Sequence, residues 1–156
     1  MPAPEAVVFD AFHHQHWRRQ WDSLVRNTRI SGGGEHPFVG AVTDSGGAGL
    51  LRGLSMRTCF VTYQRPRLAA AAMQGESFPF SRWAASMKHL PGSSGHSVLA
   101  YTYTFEVKPR ALRWLLEPVV RLAFNRQTRR RFERLQQFLH HRAGAIEQWQ
   151  REGGSA

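Results

Sequence analysis

Cys59, the histidines that follow Asp10, two glycine runs, an aromatic strand and an arginine-rich segment are the features whose residue types could support chemistry. A cysteine nucleophile needs a base close by to hold it as thiolate. No local signature ties Cys59 to any of the eight histidines, so a packed thiol is the expected role, free cysteine being among the most buried residue types. On one continuous helix Asp10 would share a face with His13 and His14, a spacing that can present two or three metal ligands. His16 points elsewhere and no fourth ligand is identifiable, so the preferred reading is a solvated helix junction, with no metal or redox cofactor. His140 and His141 are adjacent and cannot share a helical face. The runs Gly32-Gly33-Gly34 and Gly46-Gly47-Ala48-Gly49 do not lead into a helix, whereas a phosphate loop requires strand, glycine turn and helix N-terminus in that order. Hairpin turns account for them, because glycine supplies the positive φ that tight turns need.

The aromatic strand offers binding chemistry. From Ser97 to Lys108, Leu99, Tyr101, Tyr103, Phe105 and Val107 alternate with Ala100, Thr102, Thr104, Glu106 and Lys108, so one face is aromatic. Trp83 and Met87 lie on the preceding strand. Such a stripe is core or the wall of a cavity, and both readings stand for the tyrosines, whose hydroxyls need partners inside the protein or on a ligand. One helix cannot fill the concave face of a twisted six-stranded sheet, which leaves room for a cavity. The candidate ligand-facing residues are Trp21, Phe60, Trp83, Met87, Tyr101, Tyr103, Phe105 and Phe132. Were the cavity catalytic, Tyr101, Tyr103, Arg82 and His89 would be the acid/base candidates, since polar groups on cavity strands are costly unless paired.

The arginine-rich segment offers the competing chemistry. Between Lys108 and Glu152 there are eleven basic and four acidic residues, a net of +7, against +3 for the rest of the chain. Arg126, Arg130 and Arg134 form an i, i+4 row with Arg129 and Arg131 beside it, as in a helix that contacts phosphates or a membrane surface. A solvated outer face is the commoner meaning of such a row, and these five arginines are expected to be mostly solvent-facing. Nucleic acid is the less favoured partner, because no zinc finger, basic zipper or single-strand RNA motif accompanies the row.

The elements that would position these groups follow from length and pattern. With 156 residues, 42% of them hydrophobic and 21% charged, the chain suits a single folded domain over 1–156. One cysteine excludes an internal disulfide and fits a cytosolic protein. Pro4 and Glu5 suit a helix's first turn, with Val8 and Phe12 four residues apart. Trp17, Trp21, Leu24 and Val25 continue at helical spacing, which predicts a helical pair over 4–27. Glycine and proline clusters then punctuate an antiparallel sheet over 28–108, with strands near 27–32, 37–44, 51–63, 67–74, 80–90 and 97–108. Residues 109–150 read as helix, with Pro118 starting a second segment. Leu112, Leu115, Leu116, Val119, Leu122 and Ala123 form one apolar stripe; Phe132, Leu135, Leu139, Ala143 and Ile146 form another out of phase with it. A bend or a change of packing partner is therefore expected near 124–130.

Two short helices, an antiparallel meander and a long C-terminal helix are the α+β helix-grip order, and here the chain resembles the START-like (SRPBCC) superfamily of polyketide cyclase/dehydrase and lipid-transport proteins. The resemblance covers nearly the whole chain. It rests on Pro4-Glu5 before Val7-Val8-Phe9, Trp21-Asp22, Val39-Gly40, Tyr63-Gln64-Arg65-Pro66-Arg67-Leu68, Phe80 and Trp83, Pro91-Gly92 through Ser97, and Pro109. It implies an elongated cavity for lipids, polyketides, isoprenoids or similar molecules, more often bound or carried than converted. No catalytic motif matches residue by residue. Members begin with a strand that only Met1-Pro2-Ala3 could supply here, so strand 97–108 is expected to be an edge, covered by residues from an upstream start or by a second copy in a homodimer. The leading expectation is a binding protein for a hydrophobic or amphipathic small molecule. The alternatives are a cyclase or dehydratase in the same cavity, and an RNA- or anionic-membrane-binding protein acting through its arginine helix.

Overall fold

The chain enters its first helix at Pro4, whose carbonyl accepts the Val8 N–H at 3.1 Å, and the computed structural model describes residues 1–22, 25–30, 34–47 and 55–154. Helix α1 (Glu5–His13) and helix α2 (Gln15–Trp21) lead into strands β1 (Val25–Ile30), β2 (Val42–Gly47), β3 (Ser55–Gln64), β4 (Leu68–Met73), β5 (Phe80–Pro91) and β6 (Ser97–Val107). A 3-10 turn (Arg110–Leu112) then opens helix α3 (Arg113–Arg151). The strands pair in chain order as one six-stranded antiparallel meander, the arrangement that short connections favour. Among the described residues only Met1 pairs with the outer side of β6: its amino group donates to the Ser97 carbonyl at 2.6 Å and its carbonyl accepts the Ser97 N–H at 3.1 Å.

Several boundaries differ from the sequence reading. The second helix stops at Trp21 rather than near Asn27, because the Asp22 carboxylate is held by Arg18 and Arg131 and β-branched residues, which favour strands, follow at Val25, Thr28 and Ile30. The strand expected from 37 begins at Val42: Gly40 takes a φ of +90°, and the Ala41 N–H closes a turn on the Phe38 carbonyl at 2.9 Å. Residues 31–33 and 48–54, which carry parts of both glycine runs and of two expected strands, lie outside the described residues.

Helix α3 is one continuous element of 39 residues with Pro118 inside it, where two segments were expected. The bond Pro118 forfeits is the one to the Trp114 carbonyl. Trp114 is exposed, so that carbonyl can turn to water and the helix continues. The apolar stripes mark instead a change of packing partner. Leu135, Leu139 and Ile146 are fully buried with Val7, Val8, Phe12, Trp21 and Met87 in the main core. A second cluster gathers Phe9, Ile30, Ala41, Phe60 and Ala69. The first apolar stripe stays outside the core: Leu112, Leu115, Val119 and Leu122 are all exposed.

Candidate functional site

The inner face of the sheet follows from pleat and register. Phe60 pairs with Ala71, Ala71 with Ala85, and Ala85 with Tyr103, so one row across four strands sets two alanines between aromatic side chains. The next rows pair Ala69 with Met87 and Met87 with Tyr101, and pair Trp83 with Phe105. The alanine run of β4 keeps side-chain volume small in the middle of the face, where Ala69 and Ala71 pack with Phe9 and Phe60, and the aromatic residues of β6 and α3 border it. Tyr103 lies 4.6 Å from Phe124 of α3 and stacks at 5.9 Å on Phe105, its ring parallel to within 1°. Its hydroxyl donates to Asn125 Oδ1, and the Arg121 guanidinium lies 5.0 Å over the Phe105 ring. Those contacts fix the first turns of α3 over the sheet.

Beyond this aromatic group a cavity of about 820 Å³ opens at the end of β4, β5 and β6, lined by Ala72, Met73, Gly75, Glu76, Ser81, Arg82, Trp83, Ala84, Thr104, Phe105, Glu106 and Arg113. The wall is apolar where Met73, Trp83 and Phe105 meet it, and charged residues stand around them. Arg82 and Glu106, opposed in the strand register, alternate with Trp83 and Phe105 and so meet the rim from the other face of the sheet; Glu76 is ion-paired with Lys108, and Arg113 with Glu117 at 2.8 Å. The Trp83 indole N–H is buried with no partner among the described residues. An apolar wall with charged flanks and one unpaired donor suits an amphipathic molecule better than a pure hydrocarbon.

Of the eight candidate ligand-facing residues, Trp83 and Phe105 line this cavity, and Tyr103 borders it through Phe105. Tyr101 and Phe132 pack on each other at 5.5 Å beside the main core; burial, the largest influence, pushes the Tyr101 hydroxyl up to about 12. Met87 and Trp21 are buried in that core, the Trp21 indole N–H donating to the Ala11 carbonyl at 2.8 Å. Phe60 belongs to the second cluster. Met73, Glu76 and Arg113 were not singled out by sequence reasoning. Glu76 lies in the connection after β4 and Arg113 opens α3, positions where strand alternation carries no signal.

The histidine segment is not the solvated junction expected. Asp10, His13 and His14 are buried, and each faces a different partner. Asp10 accepts from Arg65 Nε at 2.7 Å and Nη2 at 2.6 Å, and from Gln150 Nε2 at 2.5 Å. His13 packs 4.4 Å from the Phe9 ring and 5.8 Å from His89, whereas His14 faces His36 at 4.3 Å and Glu35 at 3.2 Å. Burial, aided by neighbouring cations, holds His13 well below the usual histidine value. Burial likewise lowers His14 and His89 to about 4, against the opposing pull of nearby carboxylates. Both His89 nitrogens are without partners among the described residues, and His89 lies in the Phe9–His13 cluster rather than among the cavity residues, so the four acid/base candidates are not assembled at one place. Arg131 is a further correction: instead of facing solvent it donates to Asp22 at 2.5 Å and lies 4.5 Å over the Phe12 ring. Arg126, Arg129, Arg130 and Arg134 are exposed as expected.

A curved antiparallel sheet preceded by two short helices and spanned by a long C-terminal helix defines a helix-grip α+β protein. The chain belongs to the polyketide cyclase/dehydrase and lipid transport family, whose model matches residues 1–139. The same fold is found in Ara h 8.0201, at 14% identity over 94% of this chain and 92% of that one with a TM-score of 0.66. The protein XoxI from Bacillus cereus matches at 14% identity over 88% of each chain with a TM-score of 0.65. Norcoclaurine synthase from Thalictrum flavum matches at 13% identity over 90% of this chain and 83% of that one with a TM-score of 0.63. Among curated proteins no sequence match to the chain is found.

Proposed function

We propose that the protein binds an amphipathic small molecule of lipid, polyketide or isoprenoid type, its apolar part against Trp83, Phe105 and Met73 and its polar part toward Glu76 and Arg113. The observation that carries this reading is the cavity of about 820 Å³ at the end of the alanine-floored, aromatic-walled sheet. Family membership supports it, as does the one-sided alternation of β6. Covering each ~100 Å² of ligand apolar surface is worth about 2.5 kcal/mol, so a short acyl or isoprenoid chain supplies useful affinity without covalent chemistry. A carrier role is preferred to catalysis, because His89 and Tyr101 stand apart from the cavity lining.

The test is displacement of a fluorescent fatty acid by a panel of lipids, quinones and aromatic polyketides, with native mass spectrometry of molecules that co-purify with the protein. Saturable binding is expected, weakened at least about tenfold by Trp83→Ala and unaffected by Val98→Ser on the exposed outer face of β6. Absence of saturable binding across the whole panel would overturn the reading.

A further inference from the structure

The first half of α3 carries an apolar surface that nothing in the described structure covers. Leu112, Leu115, Val119 and Leu122 recur at helical spacing on one face, Leu122 being 72% exposed. Trp114 is 76% exposed at the same end of the helix. Phe78, 71% exposed, belongs to this end as well: Pro79 beside it accepts the Lys108 N–H at 2.9 Å, and the Leu112 N–H bonds to Pro109 at 3.1 Å. Scattered exposed leucines are ordinary, but a tryptophan, a phenylalanine, three leucines and a valine gathered at one end of a molecule mark a contact surface.

Continued along the helix at the same phase, the face that bears Leu115, Val119 and Leu122 presents Arg126, Arg129 and Arg130. All three are exposed. Arg129 reaches Glu133 only at 3.8 Å, and Arg126 and Arg130 have no ion-pair partner among the described residues. Arg113 and Arg121, by contrast, share Glu117. One face of α3 is thus apolar at its start and basic behind.

We propose that this face docks on an anionic membrane surface, with the Leu115–Val119–Leu122 stripe, Trp114 and Phe78 entering the acyl boundary and Arg126, Arg129 and Arg130 meeting lipid phosphates. Apolar side chains beside arginines fit the boundary between acyl chains and headgroups. A nucleic acid would satisfy the arginines but leave the leucines and Trp114 in water. A second copy of the chain, packed across a two-fold axis through the same stripe, would cover the leucines but leave Arg126, Arg129 and Arg130 with no anionic partner. No helix among the described residues is long and apolar enough to cross a bilayer, so the contact is peripheral. It stands independently of what the cavity holds.

The experiment is flotation of the full chain with vesicles of phosphatidylcholine alone and of phosphatidylcholine mixed with phosphatidylglycerol, at low and high salt, with quenching of tryptophan fluorescence by brominated lipid. The wild type should bind the anionic vesicles, release on adding salt, and be quenched. Leu115→Ser/Val119→Ser/Leu122→Ser should lose quenching and bind at least about tenfold more weakly. Arg126→Gln/Arg129→Gln/Arg130→Gln should lose the preference for anionic lipid. Because all six positions are exposed, both variants should keep the wild-type circular dichroism; a serine variant that unfolds would show the stripe to be structural and overturn the proposal. So would vesicle binding unchanged in the serine variant, binding to RNA but not to vesicles, or a dimer by light scattering that the serine variant converts to monomer.

Discussion

Buried polar groups divide here into those that are satisfied and those that are not, and the difference sets the response to acid. Asp10 has donors from Arg65 and Gln150; burial works against the Asp22 carboxylate, yet Arg131 and Arg18 together hold it below the usual carboxylate range. His13 Nε2 and both His89 nitrogens are buried without hydrogen-bond partners among the described residues; burial lowers both rings, His89 to about 4 despite the pull of Asp10. As pH falls below the unfolded histidine value of about 6.5, the unfolded chain takes up protons that the folded one refuses. Stability contributed by the neutral rings, fully present above that pH, is therefore lost on the way down to about 4. Each such histidine removes about 1.4 kcal/mol per pH unit. Below that range protonation of Asp22 adds a further loss in the same direction. Urea unfolding followed by tryptophan fluorescence should show this decline. His89→Leu should flatten it by one histidine's share and raise stability near neutral pH by about 1 kcal/mol, since two unpartnered nitrogens leave the core. A pH slope identical to wild type would refute the assignment.

At the scale of elements, α3 is two half-helices in all but backbone. Its second half is bolted to α1 and α2 by Leu135, Leu139 and Ile146, by Arg131 on Asp22, and by Gln150 on Asp10. Its first half touches the sheet chiefly through Phe124 and Asn125 on Tyr103. Leu139→Ala should accordingly cost about 2–5 kcal/mol, the range for truncating a buried leucine, while Leu122→Ala should stay within about 0.5 kcal/mol. Thermal or urea denaturation of the two variants checks the contrast directly, and equal losses would contradict it. The out-of-phase stripes near 124–130 were legible in the sequence. Which stripe is buried was not, because Leu115 and Leu139 look alike until α1 and α2 are placed against one of them. The same limit applies to Val25, whose helical spacing after Trp21 gave way to a strand next to Asp22, a residue captured by an arginine 109 positions away; Leu24 lies outside the described residues.

At the scale of the whole molecule, the order of helices and strands was legible because each rests on local signals: Pro4 at a helix start, alternation along 97–107, and proline and glycine between strands. The Asp10–Arg65–Gln150 cluster was not legible, since its members are 55 and 140 residues apart and no periodicity joins them. The cavity end combines both cases, with Trp83 and Phe105 marked by alternation and Arg113 placed there only by the fold.

A grip anchored at one end has a mechanical consequence. A molecule that fills the cavity touches Trp83 and Phe105 on the sheet and Arg113 on the first turn of α3, so it ties that turn, which precedes the Arg121, Phe124 and Asn125 contacts, to the sheet. Amide hydrogens of α3 from about Arg113 to Phe124 should exchange faster than those from Phe132 to Trp149 in the free protein, and should slow selectively when ligand is added. Global stability should rise with ligand concentration, by about 2.7 kcal/mol at one hundred times the dissociation constant. Hydrogen exchange measured by mass spectrometry with and without the tightest molecule from the displacement panel separates the outcomes. Protection confined to α3 and the ends of β5 and β6 supports a ligand seated at that end. Protection centred on Phe9, Phe60 and His89 would instead place the site in the second cluster.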